Sequence, residues 1–130
     1  MLKVELNEST GIAILKPDGA LSKKDFIYAS SVIDPYIEKA GKLNGLIIST
    51  RKFPGWESFG SLIKHFKFAK DHHKKLSHEA IVTDSVLGDF AEIILTLFAS
   101  AKIKHFAFDE LSKAQSWVLC SDNFNNKYYK

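Results

Sequence analysis

The sequence predicts an α/β fold: one domain with a mixed, mainly parallel five-stranded sheet, an antiparallel hairpin strand at its beginning and about four flanking helices. Three observations lead there. The chain has 130 residues, one domain's length, enough for a single core that buries roughly two-thirds of the unfolded surface. Short apolar runs bounded by turn residues recur at 44–50, 80–83 and 105–108, as strands covered on both faces do. Segments with helical spacing separate these runs, and repeated strand–helix–strand units require parallel pairing through right-handed crossovers.

In chain order, Leu2, Val4 and Leu6 alternate with Lys3 and Glu5, the period of a half-buried strand. Asn7-Glu-Ser-Thr10 then turns the chain into Gly11-Ile-Ala-Ile-Leu15, which stops at Pro17, so the two runs form a hairpin. Ser22 precedes an apolar series at Phe26, Ala29, Val32 and Ile33. Asp34-Pro35 is expected to restart or kink that helix, with Asp as N-cap and Pro in first position, and Gly41 ends it. Strands at 44–50, 80–83 and 105–108 alternate with helices at 58–76, 85–101 and 110–120. Leu111, Ala114, Trp117 and Val118 form the buried face of the last helix. The domain spans 1–120, and the polar, Asn-containing stretch 121–130 reads as a frayed tail.

Composition narrows the function classes. At 45% hydrophobic and 25% charged residues, with three Pro and seven Gly, the chain is neither disordered nor low in complexity. The formal charge of +3 is unevenly placed: residues 64–75 hold five Lys and one Asp, so the remainder is slightly acidic. A broad nucleic-acid footprint is therefore not expected. Cys120 is the lone cysteine, which excludes an internal disulfide and favours a reducing compartment. No signal-peptide pattern begins the sequence, and the apolar stretch 91–101 is far shorter than the about 20 residues needed to cross a bilayer. A cytoplasmic location is the expectation.

Two helices depart from a plain amphipathic pattern. In 58–76, Phe59, Leu62, Ile63, Phe66, Ala69 and Leu76 form the core stripe, whereas Phe68 falls with Lys64, His72 and Lys75 on the basic face. A ring among lysines suits a membrane interface, where each ammonium gains roughly 1 kcal/mol near an anionic surface. Cover by a neighbouring loop or subunit explains the same ring. In 85–101, the polar residues Asp89, Glu92, Thr96 and Ser100 make one narrow stripe, leaving Leu87, Phe90 and Ile94 in an apolar face wider than a sheet needs. Another helix, a second subunit, a lipid or an apolar ligand would cover the surplus.

Chemistry has few anchors. His72-His73 point about 100° apart on a helix, so they do not converge on one metal ion, and no metal or cofactor site is expected. His65 and His78 are placed near helix ends or on the basic face, and His105 is read as a hydrogen-bonded structural residue of a strand. No nucleophile elbow, phosphate-binding loop or dinucleotide fingerprint occurs. A non-enzymatic protein is the expectation.

The loop Phe53-Pro-Gly-Trp56, the helix residues Phe66-Lys-Phe-Ala69 and His72-His73, the strand end Ala80-Ile-Val-Thr-Asp84 and the closing stretch from Ile103 to Trp117 resemble the SpoIIAA-like proteins. These small bacterial domains are related to STAS domains and to the CRAL-TRIO lipid-binding fold. The resemblance covers nearly the whole chain. It implies the same mixed sheet, a non-enzymatic role, membrane association and binding of small non-polar molecules. The family's aromatic-Gly-Trp loop falls on Phe53, Gly55 and Trp56, its Lys-Phe pair on Lys67 and Phe68, and its helix-end histidine on His72 or His73. Two departures stand out. Many relatives carry Trp after the position of Asp84, where this chain reads Val86-Leu-Gly-Asp-Phe90. Where anti-sigma-factor antagonists have an Asp-Ser-Ser-Gly switch, it reads Ser49-Thr50-Arg51-Lys52.

The leading expectation is a binding domain that docks on anionic membranes through Lys64, Lys67 and Lys75, inserts Trp56 and Phe68, and holds a small apolar ligand against Leu87, Phe90 and Ile94. Phe53 and His72 complete this set. The alternative is a STAS-like protein-interaction module, homodimeric or with another protein partner, whose surplus apolar face is the interface.

Overall fold

A computed structural model describes residues 1–19, 21–51, 76–84 and 102–128. Hairpin strands β1 (Leu2–Asn7) and β2 (Ile12–Pro17) pair antiparallel, with Leu2 opposite Pro17 and Asn7 opposite Ile12. The Asn7 side chain shapes the turn by accepting the backbone N–H of Ser9 at 3.0 Å. Helix α1 (Lys23–Ala40) follows, then β3 (Leu43–Ser49), β4 (Leu76–Val82) and β5 (Lys102–Phe106). A 3₁₀ turn, Phe108–Glu110, leads into helix α2 (Leu111–Tyr128). The strands lie in the order β1-β2-β3-β4-β5, and β2 to β5 are all parallel. The mixed, mainly parallel sheet with its antiparallel first strand is the predicted architecture.

Two α-helices lie among the described residues. The expected helix at 85–101 falls outside them, as does that at 58–76 apart from Leu76, which belongs to β4 and not to a helix. That strand begins four positions before the expected Ala80. Its polar opening, Ser77-His78-Glu79, hides the strand from hydrophobic pattern, yet His78 and Glu79 are buried at 2% and 0% exposure. His78 is accordingly a sheet residue rather than a member of a basic helix face. β5 also starts earlier, at Lys102, and Phe108 enters the 3₁₀ turn instead of closing the strand. As an edge strand it keeps Lys102 and Lys104 exposed, so it lacks the apolar run by which a covered strand is read.

Helix α1 starts after Ser22, whose backbone N–H donates to the Asp25 carboxylate at 2.8 Å, and that bond holds the Asp25 carboxyl below its usual range. Pro35 does not restart the helix. It sits inside a continuous α1, the packing of Ala29, Ile33 and Ile37 outweighing the missing N–H. Gly41 closes the helix at φ 89°, a left-handed conformation, and its N–H donates to the Ile37 carbonyl at 2.8 Å. Helix α2 passes Cys120 and stays helical through Tyr128.

Alternation along the strands divides the core in two. Ile12, Ile47, Ala80, Val82 and Phe106 point to one face and pack with Ala114 and Val118 of α2. Ala13, Leu15, Leu46, Ile48 and Ile81 alternate with them and are buried on the opposite face, and α1 lies against β1 and β3. Helix α2 packs tightly on the sheet at Gly45, where an added Cβ would stand 2.7 Å from Val118 Cγ1. Gly45→Ala therefore forces α2 outward and is expected to cost roughly 1–3 kcal/mol in urea unfolding. Val118→Ala in the same chain should recover part of that loss, whereas strict additivity of the two changes would show that this approach does not set the helix position.

Candidate functional site

The parallel strands end together, and the loops that leave them are tied in sequence. Beyond β3, the Thr50 N–H donates to the Val82 carbonyl at 3.0 Å and its hydroxyl donates to the Pro17 carbonyl at 3.3 Å. Thr83, one strand further, repeats the arrangement: its N–H donates to the Phe106 carbonyl at 2.9 Å and its hydroxyl to the Arg51 carbonyl at 3.3 Å. His105 Nε2 also lies 2.9 Å from the Thr83 carbonyl oxygen, as expected for a structural histidine. The Phe108 N–H donates to the Asp84 carboxylate at 3.1 Å. These bonds continue the sheet ladder past the strand ends and give the rim a defined shape.

A cleft of about 580 Å³ opens on this rim. Pro17, Phe108 and Leu111 give it apolar walls, and Lys3, Lys16, Arg51 and Asp18 supply charge. Register explains the lysines. Lys3 stands directly opposite Lys16 in the hairpin, a repulsive pairing that Glu5 relieves at 3.9 Å from Lys3 and 3.1 Å from Lys16. Arg51 lies with its guanidinium carbon 4.8 Å from the centre of the Phe108 ring, a cation–π contact, and makes no ion pair among the described residues. The 3₁₀ turn below Phe108 is held by Glu110, which accepts the Ala107 N–H at 2.9 Å and pairs with Lys113 at 3.0 Å. Those two contacts keep the Glu110 carboxyl below its usual range. A smaller groove of about 160 Å³ runs between the hairpin and α2, lined in part by Ile12, Ile14 and Leu119.

All ten residues expected at a ligand or membrane site, Phe53, Trp56, Lys64, Lys67, Phe68, His72, Lys75, Leu87, Phe90 and Ile94, lie outside the described residues. The cleft residues were not among the sequence candidates. Two signals could have found them: hairpin register, which sets Lys3 beside Lys16, and the tendency of open α/β sheets to bind ligands at the carboxyl ends of their strands, where Arg51 follows β3. Among the described residues no cluster of His, Cys, Asp and Glu could hold a metal ion, and no helix is long and apolar enough to cross a membrane.

A family model described as SpoIIAA-like matches residues 12–119, from the second strand into the last helix. The chain belongs to the SpoIIAA-like family. No curated protein and no solved structure matches it significantly. In this SpoIIAA-like domain the matched span contains β2 to β5 and hence every parallel pairing, whereas Lys3 contributes to the cleft from outside the matched span.

One polar group in the SpoIIAA-like core has no counterpart in any of these arrangements. Glu79, in β4, is completely buried, and among the described residues neither carboxylate oxygen has a hydrogen-bond partner. Burial drives its pKa well above the ordinary 4.5, because the interior penalises the charged form. The folded protein therefore holds a proton that the unfolded chain releases above about pH 4.5. Stability should fall as pH rises from there towards the raised value, with a slope approaching about 1.4 kcal/mol per pH unit. Glu79→Met should remove this slope and gain about 1–3 kcal/mol at neutral pH in urea melts. Parallel pH–stability curves for the two proteins would show that Glu79 is not the buried acid described.

Proposed function

We propose that this SpoIIAA-like domain is a STAS-type protein-interaction module, acting by docking on a protein partner rather than by catalysing a reaction. The family match across the parallel sheet carries this reading, since STAS domains typically bind protein partners. The outer face of α1 supports it. Ile27 and Tyr28 are adjacent and 60% and 50% exposed, and helical spacing sets Lys24 and Ser31 beside them. An apolar centre with a polar rim is the usual layout of a contact patch.

The reading needs no phosphorylation switch. At the place of the Asp-Ser-Ser-Gly sequence, Ser49 and Thr50 are 6% and 8% exposed, and the Thr50 hydroxyl is already bonded to the Pro17 carbonyl. A phosphate there would bury close to two negative charges beneath the rim. Peripheral membrane association and an apolar ligand held between the segments 58–76 and 85–101 draw no support from the family match or from the described residues.

Affinity isolation from a cell extract, paired with light scattering of the purified chain, tests the module. The expected result is a stoichiometric partner protein, or a second copy of the chain, whose recovery falls at least about tenfold with Ile27→Glu plus Tyr28→Glu. Lys42→Glu, on an exposed residue beyond α1, should leave recovery unchanged. A partner retained in full by the α1 variant would overturn the proposed surface, and lipid in place of any protein in native mass spectra would overturn the module itself.

A further inference from the structure

We propose that the cleft at the carboxyl ends of the strands binds a small amphiphilic anion, with its acidic head at Arg51 and Lys16 and its apolar body against Pro17, Phe108 and Leu111. This site is separate from the α1 surface and does not rest on the interaction-module reading. Its volume of about 580 Å³ lies within the range of small-molecule sites, roughly 300–1,000 Å³.

Charge selects the sign of the head group. Among the described residues the cleft lining carries Lys3, Lys16 and Arg51 against one side-chain carboxylate, Asp18. Glu5, outside the lining, takes part of the field of both lysines through its contacts at 3.9 and 3.1 Å. Among the described residues Arg51 has no ion pair, and its contact with the Phe108 ring orients the guanidinium without neutralising it. A planar guanidinium offers paired N–H donors that match a carboxylate, a sulfonate or a phosphate monoester.

Shape selects the rest of the molecule. Phe108 and Leu111 present carbon surface next to the cations, so an inorganic anion would leave that wall wet and a neutral hydrocarbon would leave Arg51 unanswered. The wall is also built in advance. Thr83 holds the Arg51 carbonyl, Thr50 holds the loop after β2, and Asp84 holds the Phe108 N–H, so little ordering remains to oppose binding.

Octanoate is the probe, titrated into the purified full chain by calorimetry and followed by amide chemical shifts. The expected result is saturable binding that shifts the Thr50, Arg51, Phe108 and Leu111 amides, with octylammonium at least about tenfold weaker. Arg51→Gln with Lys16→Gln should weaken octanoate about tenfold or more, and Lys23→Gln, outside the cleft, should change it less than twofold. Thermal melts of each variant confirm that the comparison is between folded proteins. Equal affinity for octanoate and octylammonium, an unchanged affinity in the Arg51/Lys16 variant, or shifts confined to other amides would each overturn the proposal. Vesicles of phosphatidylglycerol separate a free anion from a lipid headgroup: binding to vesicles that depends on Arg51, without binding of octanoate, would overturn the small-ligand site in favour of a membrane surface.

Discussion

The structure depends on β3 being dry on both sides. From Gly45 to Ser49 every residue of that strand is buried, and β3 carries the parallel register to β2 on one edge and β4 on the other. A strand in that position cannot satisfy its backbone with water, so both neighbours must pair along its length. Two consequences follow. Helix α2 can seat its Val118 only because Gly45 has no side chain, which fixes how deeply the helix lies on the sheet. The β2, β3 and β4 ends are also drawn into line, so that Pro17, Thr50, Arg51, Val82 and Thr83 meet at one rim.

The cleft proposed to bind an anion sits at the border of that rigid frame. The hydrogen bonds of Thr50 and Thr83 extend sheet geometry by one residue past each strand, and beyond them the chain is free to present side chains. Arg51 is the clearest instance, its carbonyl bound by Thr83 while its guanidinium stays in the open cleft beside Phe108. The two hydroxyls thereby do for the loops what ladder bonds do for the strands. A family that varies its ligands or partners can change such rim side chains without touching the pairing beneath them.

Much of the fold was legible because it is written in apolar spacing. The hairpin follows from Leu2, Val4 and Leu6 around an Asn7 turn, and β3 from Leu46-Ile-Ile48, each pattern having one main physical explanation. Sequence reasoning stumbled where a polar residue occupies a dry position. His78, read from the sequence as lying near a helix end or on a basic face, is packed edge-on against Trp117 with ring centres 5.1 Å apart, and beside it Glu79 is shielded outright in a stretch with no apolar pattern to mark a strand. At Pro35 the restart that local chemistry allows does not occur, because buried residues on either side keep the helix continuous. The cleft was hidden for a different reason: Lys3, Lys16, Arg51 and Phe108 come from separate elements, and only register and strand order bring them together.

Glu79 shows what tolerating such an exception implies. An apolar side chain in the same place would remove the desolvation cost and leave the sheet pairing intact, so stability alone does not account for a carboxyl there. Held neutral, the group adds no field to the sheet, and the positive character of the cleft remains a property of Arg51 and the hairpin lysines. Ionised, it would place a bare charge on the strand next to β3, where no described residue donates a hydrogen bond to it. The rim and its cations therefore rest on a frame that is strongest while this one acid keeps its proton.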